Sequence, residues 1–581
     1  MQRRSRTALA VVLPILALAC GTSSTKNGNG TGGNGNGPGP GSGSGGTGGG
    51  AGGGGGAPAS GSGGGGGAGG TAGGAGGAGG SAGAPGGGGS GGAVTNACAQ
   101  AGAGGGAPNT LTVDVDAAQT VISPGIFGLL MERLGRNWNG GAYVGTSSAI
   151  PNTNGMRNDV IAGFKEAGVG AIEWPGGCAA GGYNWMPPNP ANDVGTDRYM
   201  QLCSLLGIDP VIAGPGTSAG ASSNLQWVTY INNNATHPDW NLKYFKVGNE
   251  VWGCGGNQTE PAYEGNYNAN YTVLSPPVNG KKVNLIASTG LIGNMTWLND
   301  EVRNIGSKID GIEIHDYLYH PSSSGSPIPC VGFTDAQYYG IVNDANQRQI
   351  GKRLNDIIAI LDQYDTAKHI KIYEDEWGDW LLPFNSAQDS WLQQVTVMDA
   401  ISTAEQLHLF MRHADRVQMT GMAQGVNVIH SIMLTRSSDA ALVKTPAFYV
   451  LKMLIPHHSA GAKSAPSTLV SENITGGGAT FPVLSAGASV DAQGRVNISL
   501  ANVDLVNTRT IQITLNGSRA SYVASTAQVI TGPAKDSYND FGQAEAVNIQ
   551  SLAASSCSVS GRTVRVTLPS KSVVMLVLTP Q

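Results

Sequence analysis

The chain lacks the charge pattern of a protein that binds nucleic acid. Beyond residue 10 it has no block of basic residues, and its 33 Lys and Arg are outnumbered by 38 Asp and Glu. Because binding to a phosphate backbone requires clustered Lys and Arg, this balance argues against nucleic acid as a partner. The net charge of −5 favours an uncharged ligand instead.

Long apolar runs are absent after the first twenty residues, so the sequence predicts no transmembrane helix. Basic residues at the N-terminus precede an apolar stretch at residues 8–18, which is too short to span a bilayer as a helix. The stretch ends in ALAC, and a cysteine after small residues is typical of a bacterial lipoprotein cleavage site. We therefore expect an exported protein lipidated at Cys20, so that its only membrane attachment is this anchor at the cell envelope or surface. The alternative is ordinary secretion into the medium.

Large apolar side chains are almost missing from residues 21–107, where 45 of the 91 glycines lie. Such a segment cannot bury enough surface to offset the entropy of ordering it, so we predict a disordered linker. The 474 residues that follow suffice for one large barrel and a smaller accessory domain.

A regular alternation of strand and helix patterns extends over residues 121–456. Short apolar strands such as AIEW at residues 171–174 alternate with helical patterns, one of which, from residue 156, ends at Gly168. Eight such strands over about 330 residues predict an α/β fold of the (β/α)8 barrel type. The alternative is an open doubly wound sheet. That fold often has a glycine-rich nucleotide loop after its first strand, and this sequence has none.

Residues 457–581 show a different pattern, with apolar and polar residues alternating at period two. Segments such as VNISLANV and TVRVTLP predict a C-terminal antiparallel β-sandwich, which a strand within residues 108–120 is expected to join. Cys98 and Cys557 would then lie near each other and could form a disulfide, which export permits. The other four cysteines, Cys178, Cys203, Cys254 and Cys330, are expected to be free, buried small residues.

Two glutamates stand at predicted strand ends, where barrel enzymes carry their catalytic groups. Glu250 ends the fourth strand in VGNEVWGCGG, and Glu376 ends the seventh in YEDEWG. Cleavage of a glycosidic bond needs one acid to protonate the leaving oxygen and one carboxylate to attack or to activate water. A lone glutamate could equally form an ion pair with an arginine, but two at matching positions, with Asn249 and Trp377 beside them, favour a sugar site.

The barrel segment resembles the family-51 glycoside hydrolases, the α-L-arabinofuranosidases. The resemblance extends over residues 121–455 and rests on long strings in matching order: ISPGIFGLLMERLGR, NGGAYVG, NTNGMRNDV, WPGGC, VGNEVWGCGGN, DEWG, FMRHADRV, and MAQGVNV followed by MLT.

The resemblance implies an exo-acting enzyme that removes arabinofuranosyl groups from plant-type polysaccharides or oligosaccharides with retention of configuration. Glu250 is similar to the family's acid/base and Glu376 to its nucleophile. The positions that match its sugar-binding residues are Glu132, Asn249, Trp252, His315, Tyr317, Gln424 and Cys178. Neither a cofactor nor a metal is implied, and no metal-ligand spacing is present in the sequence. Packing or hydrogen-bonding roles remain the alternatives for His315, Tyr317 and Gln424.

Three residues depart from the family pattern. Glu173 stands before WPGG where arginine is usual, Arg133 stands where histidine is common, and Glu374 replaces an apolar residue. A third carboxylate near Glu250 and Glu376 would disfavour ionisation of the nucleophile, so we expect a cation beside Glu173. Arg133 on the neighbouring strand is the predicted partner. The rival functions are an endoglycanase of related fold and a tethered carbohydrate-binding protein without turnover, which the Glu173 change would favour.

Overall fold

The computed structural model of the protein describes residues 96–100, 107–187, 193–291, 294–318, 327–345, 350–384 and 391–581. The predicted signal segment, its Cys20 and nearly all of the glycine-rich segment lie outside these ranges. Among the described residues, no helix has the length and apolar character needed to cross a membrane.

A closed barrel of eight parallel strands forms the centre of the described chain, which confirms the predicted barrel. Each strand pairs with its sequence neighbours, and the eighth pairs with the first. The strands, from first to eighth, are Leu129–Leu130, Ala171–Trp174, Asp209–Gly214, Tyr244–Val247, Asn284–Ser288, Gly311–Leu318, Lys371–Asp379 and Val417–Ala423.

Helices alternate with these strands and cover the outside of the barrel. Asn158–Ala167 ends at Gly168, whose φ of +69° is a left-handed conformation that glycine adopts without strain. Asp335–Asn343 begins with a capping box between Thr334 and Gln337. The remaining α-helices are Gly195–Leu206, Ala221–Asn232, Glu260–Leu274, Met295–Ile305, Ile350–Tyr364, Val397–Arg412 and Pro446–Leu454.

Side chains inside the barrel are layered, because successive residues of a strand point to opposite faces. Toward the N-terminal ends, Ala171, Val211, Ile286, Tyr373 and Met419 form an apolar cluster. A second layer lies two residues further along these strands and their neighbours, and it is polar. It contains the buried residues Glu173, Lys246, Ser288, Glu313 and Asp375. The apolar layer therefore closes the barrel below a charged one, which is the base of the candidate site.

The second part of the described chain consists of two mainly antiparallel sheets, as predicted for the sandwich. Within the described residues, one sheet has six strands in the order Ala99–Gln100, Cys557–Ser560, Thr563–Leu568, Arg509–Asn516, Asn109–Asp114 and Ser467–Val470. The other has seven, in the order Gln550–Ser551, Tyr522–Ile530, Ser572–Pro580, Val496–Asn502, Leu484–Val490, Lys463–Ser464 and Thr120–Val121. The chain is thus part of the sandwich as far as Val121, and the first barrel strand begins at Leu129.

A disulfide joins the two ends of this sandwich. Cys98 and Cys557 are bonded, with Cα atoms 5.0 Å apart, which confirms the predicted pairing. Cys203 and Cys330 are free and buried, also as predicted.

The helix Val397–Arg412 packs between barrel and sandwich. Its His408 makes a hydrogen bond of 3.0 Å to the hydroxyl of Ser485, and Met411 approaches Gly487 so closely that a Cβ there would lie 2.7 Å from the Met411 methyl group. Nearly every side chain of this helix is buried. The sandwich therefore fixes the helix that follows the seventh strand, which is the strand that carries Glu376.

Candidate active site

Glu250 and Glu376 meet at the C-terminal end of the barrel. Glu250 follows the fourth strand in a left-handed conformation with φ of +43°, and its backbone N–H donates to Glu313 Oε1 at 3.1 Å. Glu376 lies within the seventh strand, and a carboxylate oxygen of each glutamate lies within 4.8 Å of the other. This closeness suits the separation of about 5 Å between carboxylates that retention of configuration requires.

A bulge in the seventh strand directs two consecutive acids into the barrel. Opposite it, Glu313 pairs with Tyr373 but His315 pairs with Glu376, so the seventh strand contains one more residue than the sixth between these pairs. An extra residue shifts the alternation of side chains along the bulged strand. Asp375 and Glu376 can therefore both face the interior.

His315 lies between the two glutamates. Its Nδ1 makes a hydrogen bond of 3.1 Å to Glu250 Oε1 and lies 3.4 Å from Glu376 Oε2, while its Nε2 lies 3.3 Å from Asp375 Oδ1. Burial lowers the pKa of His315, but the surrounding carboxylates, Glu376 first, outweigh burial and hold the pKa well above its usual value. The carboxylates therefore favour the protonated, positively charged form of the ring, which lies between the two glutamates.

The two oxygens of Glu376 differ in their surroundings. Oε2 accepts a hydrogen bond of 3.2 Å from the Tyr317 hydroxyl and faces His315, whereas Oε1 is buried with no hydrogen-bond partner among the described residues. Burial raises the pKa of Glu376 well above its usual range; His315 opposes this rise, and Glu250 and Glu132 add to it. The charge of this carboxylate thus depends on the cations around it.

Glu132 and Gln424 form a second polar pair at the ends of the first and eighth strands. Gln424 Nε2 donates to Glu132 Oε1 at 2.6 Å, and Gln424 Oε1 accepts from Asn137 Nδ2 at 2.7 Å. Burial, with the nearby charge of Glu250, raises the pKa of Glu132 to about 7. A Cβ at Gly177 would lie 1.7 Å from Glu132 Oε2, so this position of the WPGGC turn requires glycine.

Asn249 and Trp252 flank Glu250. The side-chain oxygen Oδ1 of Asn249 accepts a hydrogen bond from Lys246 Nζ at 2.8 Å, but its buried Nδ2 has no partner among the described residues. A buried donor without a partner is costly, and this amide nitrogen can donate to a ligand oxygen. Trp252 is half-buried against the core of the chain.

Cys178 is not a free cysteine, which corrects the prediction. It forms a disulfide with Cys254, joining the loop after the second strand to the loop after the fourth. Cys254 Sγ lies 3.4 Å from Glu250 Oε2. Since a disulfide sulfur carries no proton, this is a packing contact that limits where the Glu250 side chain can move.

The predicted ion pair between Glu173 and Arg133 is wrong. Arg133 turns outward, where it lies 3.7 Å from Asp193 and over the Tyr183 ring. The cation beside Glu173 is Lys246 of the fourth strand, with Nζ 2.8 Å from Glu173 Oε1. The first strand ends at Leu130, so Arg133 lies in the loop beyond it, where its side chain meets Asp193 and Tyr183 instead of the barrel interior.

Sequence reasoning missed Lys246, Glu313 and Asp375. A signal was available for Lys246, because a charged residue in the middle of the otherwise apolar strand YFKV must be paired if it is buried. Asp375 gave none, because period two places it on the face opposite Glu376, and the bulge cannot be inferred from the residues.

Three groups of side chains at the site bring potential metal ligands together. Glu250, His315 and Glu376 offer three atoms within 4.8 Å of one another, and so do Glu313, His315 and Asp375, and Cys178, Glu250 and Cys254. A cation in either group that contains His315 would have to displace the imidazole proton that the carboxylates stabilise. In the group that contains the cysteines the sulfurs are bonded to each other, so they are not thiolate ligands.

Comparison with known proteins agrees with this geometry. Residues 375–572 match the model of the α-L-arabinofuranosidase C-terminal domain. An intracellular exo-α-L-arabinofuranosidase of Bacteroides ovatus is 32% identical over 501 residues, covering 81% of this chain and 95% of the relative. The chain belongs to the α-L-arabinofuranosidase family.

Solved structures place it in family 51 of the glycoside hydrolases. The GH51 arabinofuranosidase of Xanthomonas axonopodis pv. citri superposes with a TM-score of 0.74 at 29% identity, covering 81% of this chain and 99% of that one. The α-L-arabinofuranosidase of Thermotoga maritima, solved with arabinose, shares the fold with a TM-score of 0.67 at 23% identity and covers 81% of this chain and 100% of that one.

Proposed function

We propose that the protein is a retaining, exo-acting α-L-arabinofuranosidase that acts on arabinose-containing polysaccharides or oligosaccharides. The observation that carries the proposal is the approach of Glu250 and Glu376 to within 4.8 Å at the C-terminal end of a family-51 barrel. That spacing leaves room for direct attack on the sugar but not for a water between carboxylate and sugar.

Glu376 is the nucleophile. The Tyr317 hydroxyl and the His315 ring hold its Oε2 on the side where Glu250 lies, so the carboxylate is fixed in orientation toward the second catalytic group. As the bond from a carboxylate oxygen of Glu376 to the anomeric carbon forms, the glycosidic bond breaks, and Glu250 gives its proton to the departing oxygen. Glu250 then takes a proton from water, whose oxygen displaces Glu376 and releases arabinose with its configuration retained.

The bound sugar is held by the polar groups that surround these carboxylates. The Asn249 amide nitrogen and the Glu132 carboxyl, which Gln424 orients, are positioned to contact its hydroxyl groups. The disulfide between Cys178 and Cys254 contributes an apolar wall beside Glu250.

Hydrolysis of 4-nitrophenyl α-L-arabinofuranoside tests the proposal. We expect turnover by the wild type, and a loss of about four or more orders of magnitude in kcat for both Glu250→Gln and Glu376→Gln. With a 2,4-dinitrophenyl leaving group, which needs little protonation, formation of the glycosyl-enzyme should recover in Glu250→Gln but not in Glu376→Gln.

A glutamate outside the site provides the matched control. Glu166 pairs with Lys444 and Lys452 on the outer side of the barrel, and Glu166→Gln should retain wild-type kcat. NMR of the first-formed product should show the retained anomer. Binding of arabinose without turnover, or an inverted first product, would contradict the proposal.

We further propose that the protein is exported and tethered through a lipid on Cys20. The support is the basic and apolar N-terminal sequence that ends in ALAC and the glycine-rich segment that follows it. Expression in a bacterial host with labelled palmitate should give a labelled membrane protein, and Cys20→Ala should abolish the label. An unlabelled wild-type protein in the cytosolic fraction would contradict this proposal.

A further inference from the structure

Lys246 is fully buried inside the barrel and has no contact with solvent. Its ammonium group lies 2.6 Å from Asp375 Oδ2, 2.8 Å from Glu173 Oε1 and 3.1 Å from Glu313 Oε2. These carboxylates come from the seventh, second and sixth strands. One cation therefore joins four strands of the barrel, and transferring it from water without such partners would cost several kcal/mol.

This cluster is connected to both proposed catalytic glutamates. Asp375 precedes Glu376 in the chain, and its second oxygen lies 3.3 Å from His315, whose other nitrogen faces Glu250 and Glu376. Glu313 accepts hydrogen bonds from the backbone N–H of Glu250 and from the Ser288 hydroxyl.

We propose, in an inference that rests on the proposed function, that Lys246 is a positioning residue. It fixes Asp375 and Glu313 in the places where they orient His315 and the Glu250 backbone, and its charge favours the ionised form of Glu376. It takes this part in the reaction without touching the sugar. Lys246 also explains how a glutamate can stand at the end of the second strand, because its positive charge stabilises the buried Glu173 carboxylate.

The charges around Glu376 agree with this role. The titratable and charged groups that face Glu376 or Lys246 are Glu132, Glu173, Lys246, Glu250, Glu313, His315, Tyr317 and Asp375. Among them only Lys246 and His315 are cationic, so both favour the ionised nucleophile. Burial raises the pKa of Glu173, and the positive charge of Lys246 opposes this rise.

The test is the pH dependence of kcat/KM for 4-nitrophenyl α-L-arabinofuranoside in Lys246→Met, which keeps an unbranched side chain one heavy atom shorter and removes its charge. Removing a nearby cation raises the pKa of a carboxylate, so the acidic limb should move to higher pH by about one unit. At a fixed pH on the acidic side of the profile, kcat/KM of the variant should be about tenfold lower than that of wild type.

A second variant separates charge from packing. In Lys246→Met combined with Glu313→Gln, the amide can still accept from the Glu250 N–H and the Ser288 hydroxyl, while one negative charge is removed with the positive one. The acidic limb should return toward its wild-type position. Because the double variant disturbs the packing more than the single variant does, such a return would be due to charge.

Arg416→Met is the matched control, because Arg416 is also a fully buried cation between two carboxylates, Asp362 and Asp365, but it precedes the eighth strand at the opposite end of the barrel. It should lower the thermal midpoint without moving the acidic limb. An unchanged limb in Lys246→Met, or no return in the double variant, would overturn this inference while leaving the proposed function intact. A wild-type protein without turnover would overturn the proposed function and this inference with it.

Discussion

Removal of the Tyr317 hydroxyl tests whether this group holds the Glu376 nucleophile in place. In Tyr317→Phe, Glu376 Oε2 loses a hydrogen bond of 3.2 Å in a buried setting, and the ring can remain packed edge-on against Trp380 at 5.0 Å. A hydrogen bond to a charged group contributes about 1.5–3 kcal/mol. At 1.36 kcal/mol for each factor of ten, kcat should fall by about 10- to 150-fold.

The kinetic pattern distinguishes orientation of the nucleophile from binding of the sugar. Because the hydroxyl holds Glu376, we expect the loss in kcat, with little change in KM. The acidic limb of kcat/KM should also move to higher pH, since a donated hydrogen bond favours the ionised carboxylate. Both quantities can be measured with 4-nitrophenyl α-L-arabinofuranoside between pH 4 and 9.

Tyr230→Phe is the matched control, since its hydroxyl donates to Asp197 at 2.7 Å on the outer helices of the barrel. It should leave kcat and the pH profile unchanged. A rise in KM alone in Tyr317→Phe would refute the reasoning, because the hydroxyl would then bind sugar rather than hold Oε2.

Three further predictions follow from the same contacts. Replacing Cys178 and Cys254 by serine should lower the free energy of unfolding by about 4.5 kcal/mol, the loop-closure value for a separation of 76 residues. It should also raise KM in steady-state assays, because the wall beside Glu250 loosens. Replacing Cys98 and Cys557 by serine should lower the thermal midpoint but leave kcat unchanged, because that bond lies in the sandwich. For Glu132→Gln, the thermal midpoint relative to wild type should rise as the pH increases from about 4.5 to about 7. Burial raises the pKa of Glu132 in the folded protein, so over this range the carboxyl ionises first in the unfolded chain, which favours unfolding of the wild type alone; a constant difference would contradict this.

The barrel was predictable because each strand is a short apolar run followed by a helical pattern, and the ends of such strands share one face. The same rule places Glu250 and Glu376 at that face, and the sequence positions of Cys98 and Cys557 allowed their pairing to be expected. These predictions depend on local patterns and on the order of the elements.

Partners that meet across the barrel could not be predicted in the same way. The sequence shows that Cys178 and Cys254 each follow a strand, but not that the second and fourth loops approach closely enough for a bond with Cα atoms 5.3 Å apart. Both residues were therefore expected to be free.

The charge of Glu173 shows most clearly why a residue-by-residue comparison with a family is incomplete. Glu173 in place of arginine suggests a loss of function when it is considered alone, because it adds a negative charge where a positive one is usual. Inside a barrel, however, the net charge around a side chain depends on every residue of the polar layer and not only on the residues of one strand. Lys246 enters that layer from the fourth strand and approaches Glu173 to 2.8 Å and Asp375 to 2.6 Å. The fourth strand therefore supplies a positive charge at the depth of Glu173, so the residue at position 173 does not by itself indicate a loss of function.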